Sequence, residues 1–200
     1  MLSALWAVKA GKDVYLEKPA CFNIHEGEVI TKARKDTNRI IQVGSQHRST
    51  PHKLKGFGLL NEGIIGKVYL SKGLCYKRRV SIGHKADEPT PAGVNWDLFL
   101  GPAPRRPYNE LRFKYNWHWF WDTGNGDIGN QGVHQMDVAR WGLGVALPSK
   151  VSSMAGMYLW DDDKEVPNTI TTAFAYPDAG KKGKMLVFDT RPWMTNDEKG

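Results

Sequence analysis

Three stretches of the chain carry side chains able to do chemistry. The first is Glu17-Lys18-Pro19. A lysine leaving the carboxyl edge of a parallel sheet points into the crevice where open α/β folds bind ligands. Its ammonium can hold a hydroxyl or carbonyl oxygen there and pass a proton. The plainer reading is a surface lysine before a turn proline. The second stretch holds Asn130, His134 and Asp137, spaced i, i+4 and i+7 so that they share one helix face. His134 can serve as general acid or base near neutral pH. Asn130 can orient a hydroxyl but cannot take up its proton. Gly129 and Gly132 remove bulk from the start of that helix, so a ligand could approach its backbone. The alternative is a capping asparagine and a hydrogen-bonded core histidine. The third stretch is aromatic: Trp117, Trp119 and Trp121 alternate with His118 and Phe120. It is either the packing of a strand-like segment or an apolar wall on which a sugar ring can stack.

Other chemistries find less support. His118, Asp122, Asp127, His134 and Asp137 match no zinc spacing, and residues 122–127 lack the alternating acids of a calcium loop, so no metal site is expected. Cys21 has no base beside it, and neither a G-x-S-x-G elbow nor a Walker loop is present. Two cysteines exclude a disulfide scaffold, and Cys21 and Cys75 read as free thiols.

The elements that must position these residues follow from pattern. Residues 2–9 look like the end of a helix stopped at Gly11, and 14–16 like a buried parallel strand. Asn23 and Glu26 have capping-box spacing before a helix over 24–36, whose inner face would be Ile24, Val29 and Ala33. Residues 40–43 form the next strand, and Gly44–Arg48 leaves its carboxyl end. Helices alternating with strands, with a polar loop after each strand, signal a parallel α/β sheet. Thr50-Pro51 starts a helix to about residue 60, with Thr50 as N-cap. A strand over 67–76, a short helix over 95–100, a loop-rich stretch over 104–121 and a helix over 126–143 come next. Strands over 150–159, 169–176 and 184–190 close the chain, so the second part reads as α+β with an antiparallel sheet.

Two hundred residues with 40% hydrophobic and 24% charged side chains exclude a disordered or collagenous chain. The opening apolar run over residues 1–8 is too short for a membrane span and no basic segment precedes it, so no membrane partner is expected. Charge is uneven: residues 1–86 carry a balance of +10 and residues 87–200 one of −3. That is a solvated basic face or a positive field over an anionic ligand such as a pyrophosphate. Lys77-Arg78-Arg79 is short and no nucleic-acid motif accompanies it, so nucleic acid is not expected as a partner.

The ordered motifs resemble one family. They are residues 10–19 (AGKDVYLEKP), 42–48 (QVGSQHR), 62–68 (EGIIGKV), 95–102 (NWDLFLGP) and 126–137 (GDIGNQGVHQMD). In this order they are similar to the Gfo/Idh/MocA oxidoreductases. The resemblance implies the C-terminal part of a Rossmann domain (residues 1–48), a connecting helix (49–64), and an α+β substrate and oligomerisation domain with a largely antiparallel open sheet (65–200). It implies NAD or NADP as cofactor and a sugar, cyclitol or related polyol as the small-molecule substrate, in an intact protein that is a homo-oligomer. Lys18 aligns with the family's catalytic lysine, touching nicotinamide ribose and substrate, and His134 with its catalytic histidine. Glu17 and Pro19 would hold the lysine loop, and Gln46 and Arg48 would lie near cofactor or substrate. Asn130, His134 and Trp119 would face the substrate.

Two departures follow. Asn130 stands where many of the family's dehydrogenases have Asp, so proton transfer would fall on Lys18 or His134. It also keeps open a relative that hydrolyses glycosides by transient oxidation with NAD. A non-enzymatic carbohydrate-binding module over residues 65–200 is the reading from a different class. The strand, G-x-G-x-x-G turn and helix that cradle a pyrophosphate are not found in these residues, so the chain reads as an N-terminally truncated fragment that on its own would bind NAD poorly.

Overall fold

Short β-branched and aromatic runs make the first two strands. β1 (Val14–Leu16) lies parallel to β2 (Ile41–Val43), with Leu16 opposite Val43. Parallel neighbours need a crossover, and α2 (Ile24–Thr37) supplies it. Before β1, α1 (Leu2–Lys9) ends at Gly11, whose φ of 74° is the left-handed turn expected there. Asn23 caps α2: its Oδ1 accepts from the Glu26 N–H at 2.9 Å. The Glu26 carboxylate accepts in return from the Phe22 N–H at 2.8 Å, one residue upstream of the usual box. The expected inner face of α2 needs one correction. Val29 and Ala33 are half-buried, but Ile24 is 84% exposed. The first turn is spent on the capping bonds, and its apolar residue points to solvent.

After β2, a 3₁₀ turn (Gln46–Ser49) leads into α3 (Pro51–Asn61), with Thr50 at the N-cap and Pro51 in the first turn. The Thr50 hydroxyl does not cap α3. It donates to the Gln46 carbonyl at 3.2 Å, because the 3₁₀ turn offers that acceptor first. The computed structural model describes residues 1–192 and divides the chain into two units, Met1–Ile64 and Ile65–Gly200.

The second unit is built on a four-stranded sheet of β3 (Leu70–Tyr76), β4 (Lys150–Gly156), β5 (Thr169–Tyr176) and β6 (Lys184–Arg191). The strand order is β3-β6-β5-β4; β4–β5 and β5–β6 are antiparallel and β3–β6 is parallel. The sheet is therefore largely antiparallel, as expected from the sequence. β3 starts three residues later than expected, after Gly66 turns the chain with a φ of 71°. β4 stops at Gly156 rather than at 159.

α5 (Val133–Leu143) covers one face of the sheet, where Ala139 and Leu143 pack on Tyr176 and Leu186. It crosses β3 at Gly73, where a Cβ would lie 3.1 Å from the Gln135 backbone. Phe188, Leu186 and Thr190 of β6 are each at most 2% exposed, so the central strand is also the core. α4 (Trp96–Leu100), capped by Asn95 through the Leu98 N–H at 3.0 Å, carries Trp96 into a cluster with Leu100 and Tyr108.

The aromatic stretch corrects its strand-like reading. Lys114–Trp119 is a 3₁₀ helix, begun by Lys114 at a φ of 49°. The three tryptophans therefore do not share a face. Trp119 is buried, Trp117 half-buried and Trp121 exposed.

Candidate active site

In the first unit the site residues sit at the carboxyl ends of β1 and β2. Leu16 and Val43 are register partners, so Glu17-Lys18-Pro19 and the Gly44–Arg48 loop leave the same end of the pair. Lys18 and Pro19 are half-buried and joined by a cis peptide; Glu17 and Gln46 are exposed and Arg48 half-buried. Gly44 brings the two loops together. A Cβ there would lie 3.1 Å from the Tyr15 ring and 3.2 Å from Glu17 Oε1, so only hydrogen fits comfortably. The turn is closed by Ser45 N–H to Val43 O at 2.8 Å and Arg48 N–H to Ser45 O at 2.9 Å. The loops that carry the Lys18 ammonium, the Arg48 guanidinium and the Gln46 amide thus leave one strand end. That donor set suits the phosphate and ribose oxygens of a dinucleotide.

In the second unit the expected helix over 126–143 is not uniform. A π-helical turn (Ile128–Gly132) precedes α5. His134 lies in the first turn of α5 and is buried. Asp137, farther along, is half-buried with an Arg140 nitrogen at 3.9 Å. The two glycines answer to the chain's own packing rather than to an open approach. A Cβ on Gly132 would meet the Phe188 ring at 2.9 Å, and one on Gly129 the Asn125 Cβ at 3.0 Å.

His118 joins this turn to the aromatic stretch. Its Nδ1 lies 2.5 Å from the Tyr115 carbonyl, which can only accept, so Nδ1 carries the hydrogen. In the neutral ring Nε2 is then an acceptor, and Asn130 Nδ2 donates to it at 3.3 Å. Trp119 lies against the same imidazole, ring centroids 3.9 Å apart. Asn130 and Trp119 are therefore brought together through His118, which the sequence offered as a member of the aromatic stretch and a poor metal ligand.

Two buried ion pairs brace the region. Arg79 grips Asp127 through Nη2–Oδ1 at 2.7 Å and Nε–Oδ2 at 3.1 Å, and its Nη1 donates to the Tyr115 hydroxyl at 2.9 Å. Burial alone would lower the pKa of the Arg79 guanidinium, but the bonds and charge of Asp127 outweigh it and hold it above its ordinary value. Lys164 lies 3.3 Å from Asp162 and donates to the Val80 carbonyl at 2.8 Å. Burial pushes the Asp162 carboxyl up, yet the Ile82 and Lys164 N–H groups and the Lys164 ammonium bring it below the usual carboxylate range. Arg79 and Lys164 each hold a cation near the Trp119 ring, at 5.3 and 5.5 Å from its centroid. Asp127 stood in a visible motif, but Arg79 is far away in sequence, and no local pattern links the two.

Among the described residues, no group of three His, Cys, Asp or Glu side chains could hold a metal ion, and no helix is long and apolar enough to cross a membrane.

Residues 50–176 match a known class of domain, the C-terminal alpha/beta domain of an oxidoreductase family. The chain belongs to the Gfo/Idh/MocA oxidoreductase family, whose C-terminal alpha/beta domain matches residues 50–176. A stretch of 65 residues is 42% identical to Oxidoreductase P35 of Formosa agariphila, covering 32% of this chain and 20% of that protein. The WlbA dehydrogenase of Bordetella pertussis, solved with NADH and UDP-GlcNAcA, superposes with a TM-score of 0.67 at 17% identity, over 97% of this chain and 48% of its own. The aldose-aldose oxidoreductase of Caulobacter crescentus, solved with glycerol, gives 0.67 at 18% identity, over 96% and 47%. The chain thus spans about half the length of these solved relatives and a fifth of the curated one, and the structural likeness is one of fold.

Proposed function

We propose that the protein containing this chain is an NAD(P)-dependent oxidoreductase acting on a hydroxyl of a sugar, cyclitol or related polyol. The observation that carries the reading is the placement of Lys18, Gln46 and Arg48 at one strand end, in a chain whose other unit matches the family's C-terminal domain. The relatives solved with NADH and a nucleotide sugar, or with glycerol, support the cofactor and the substrate class. Glu17, Lys18, Pro19, Gln46 and Arg48 would hold the nicotinamide-ribose half of the cofactor, which when bound supplies the hydride acceptor. The chain's own task is the hydroxyl proton. The proposed candidates for holding or relaying it are the Lys18 ammonium of the first unit and the His134 imidazole of the second. Asn130 orients the hydroxyl, with Trp119 as the buried base of the wall behind it. In the intact protein the sheet face opposite α5 would meet a second copy.

The test is Lys18→Ala in the full-length protein, assayed with NAD and NADP against a panel of sugars and polyols. Turnover should fall by about 100-fold or more, the usual weight of a positioned proton-transfer group. Unchanged turnover with every active substrate would remove the assignment.

A further inference from the structure

We propose that His118 is a positioning residue: it fixes the Asn130 amide so that Oδ1, and not Nδ2, is the end offered to the substrate hydroxyl. This rests on the oxidoreductase reading above. An asparagine amide has two ends of nearly equal size and opposite hydrogen-bonding character. A half-turn exchanges an acceptor for a donor unless a neighbour distinguishes them. Here the Tyr115 carbonyl sets the hydrogen on His118 Nδ1, so Nε2 presents a lone pair, and that lone pair selects the Asn130 NH₂. Oδ1 is then the acceptor end of the amide, turned from Nε2.

The ring that makes this selection is itself held. It is 3% exposed and lies among Tyr115, Trp117 and Trp119, with centroids at 4.7, 5.5 and 3.9 Å. Behind it passes the backbone of Gly124, where a Cβ would fall 2.3 Å from His118 Cα. The Thr123 hydroxyl donates to the Trp117 carbonyl at 2.5 Å and the Gly124 N–H to the Phe120 carbonyl at 2.8 Å, closing the loop around the imidazole. Asn130 sits on the π-helical turn facing it.

The pairing also accounts for an amide at this position. A carboxylate at 130 would be met by Nε2 only with a second proton on the ring, as an imidazolium, whereas an amide pairs with the neutral ring. An amide satisfies the ring and still accepts from a hydroxyl. It aligns that O–H without taking its proton, which passes to His134 or Lys18.

Two variants of the full-length protein separate the two bonds of the ring. In His118→Gln the side-chain oxygen can replace Nε2 as acceptor for Asn130. In His118→Asn the shorter amide can still donate to Tyr115 but no longer reaches Asn130. Turnover by His118→Asn should drop about tenfold or more, as expected when an orienting group is released, with KM for the cofactor unchanged. His118→Gln should keep most of the wild-type kcat. Equal loss in both, or loss in neither, overturns the proposal. ¹⁵N NMR of the wild-type His118 ring gives an independent answer that requires no variant to fold. A hydrogen on Nδ1 with a bare Nε2 supports the selection, and a hydrogen on Nε2 overturns it. If the wild-type protein oxidises no alcohol with either nicotinamide, the oxidoreductase reading and the substrate part of this proposal both fall, and the NMR spectrum alone then judges the His118–Asn130 pair.

Discussion

His84 stands between two carboxylates at the surface of the second unit: its Nδ1 lies 2.7 Å from Asp163 and its Nε2 3.8 Å from Asp161. The hydrogen bond to Asp163 raises the imidazole pKa above its ordinary value, and Asp163 is lowered by the Lys85 N–H and by His84 in turn. A histidine raised in the folded state adds stability that is complete below its unfolded value, about 6.5, and disappears as pH rises through the higher folded value. His84→Ala should therefore lower Tm near about pH 5.5 and leave it almost unchanged near about pH 8.5. A gap of equal size at both would mean that His84 acts by packing instead. At this scale the sequence was informative about residues whose own type is the signal. Lys18, Asn130 and His134 stood out by chemistry and spacing. Arg79 did not, because its meaning lies in Asp127, which only the tertiary fold brings to within 2.7 Å.

Elements were legible where local rules decide them. Asn23 and Glu26 announced the start of α2, and β5 matches the strand expected over 169–176 at both ends. Two elements misled for one reason. The alternating tryptophans imitate a strand and the 126–143 segment imitates one helix, yet the backbone obeys contacts made elsewhere: Gly124 against His118 in the first case, Gly132 against Phe188 in the second. Gly132→Ala tests the latter. A methyl at 2.9 Å from a ring that is itself fully buried must displace either the ring or the π-helical turn. Overpacking of this kind costs about 1–3 kcal/mol, readable by urea denaturation of the protein. Gly56→Ala in α3, where a Cβ meets nothing within 4 Å, should be neutral or mildly stabilising by comparison.

For the molecule as a whole, the order of motifs was more telling than length or composition. The largely antiparallel sheet and the alternating first unit were both anticipated from pattern. The parallel pairing of β3 with β6 was not, since nothing local in either strand names its partner. The first unit carries the Glu17–Pro19 and Gly44–Arg48 loops on two paired strands, and the 200 residues contain no glycine fingerprint for a pyrophosphate. The 200-residue chain should therefore bind NAD too weakly for calorimetry to register at micromolar protein. A micromolar dissociation constant for the isolated chain would show that these loops suffice.

The place of β6 in the sheet also governs how the second unit is made. Leu70 at the start of β3 pairs beside Met185, across more than half the chain, and β6 lies between β3 and β5. During synthesis β3 leaves the ribosome early and waits with one edge open. β4 and β5 can form their hairpin, but α5 has no finished surface to cover until Leu186, Phe188 and Thr190 have emerged. Among the described residues β6 is thus the strand that closes the core, so this unit cannot finish folding before β6 has emerged.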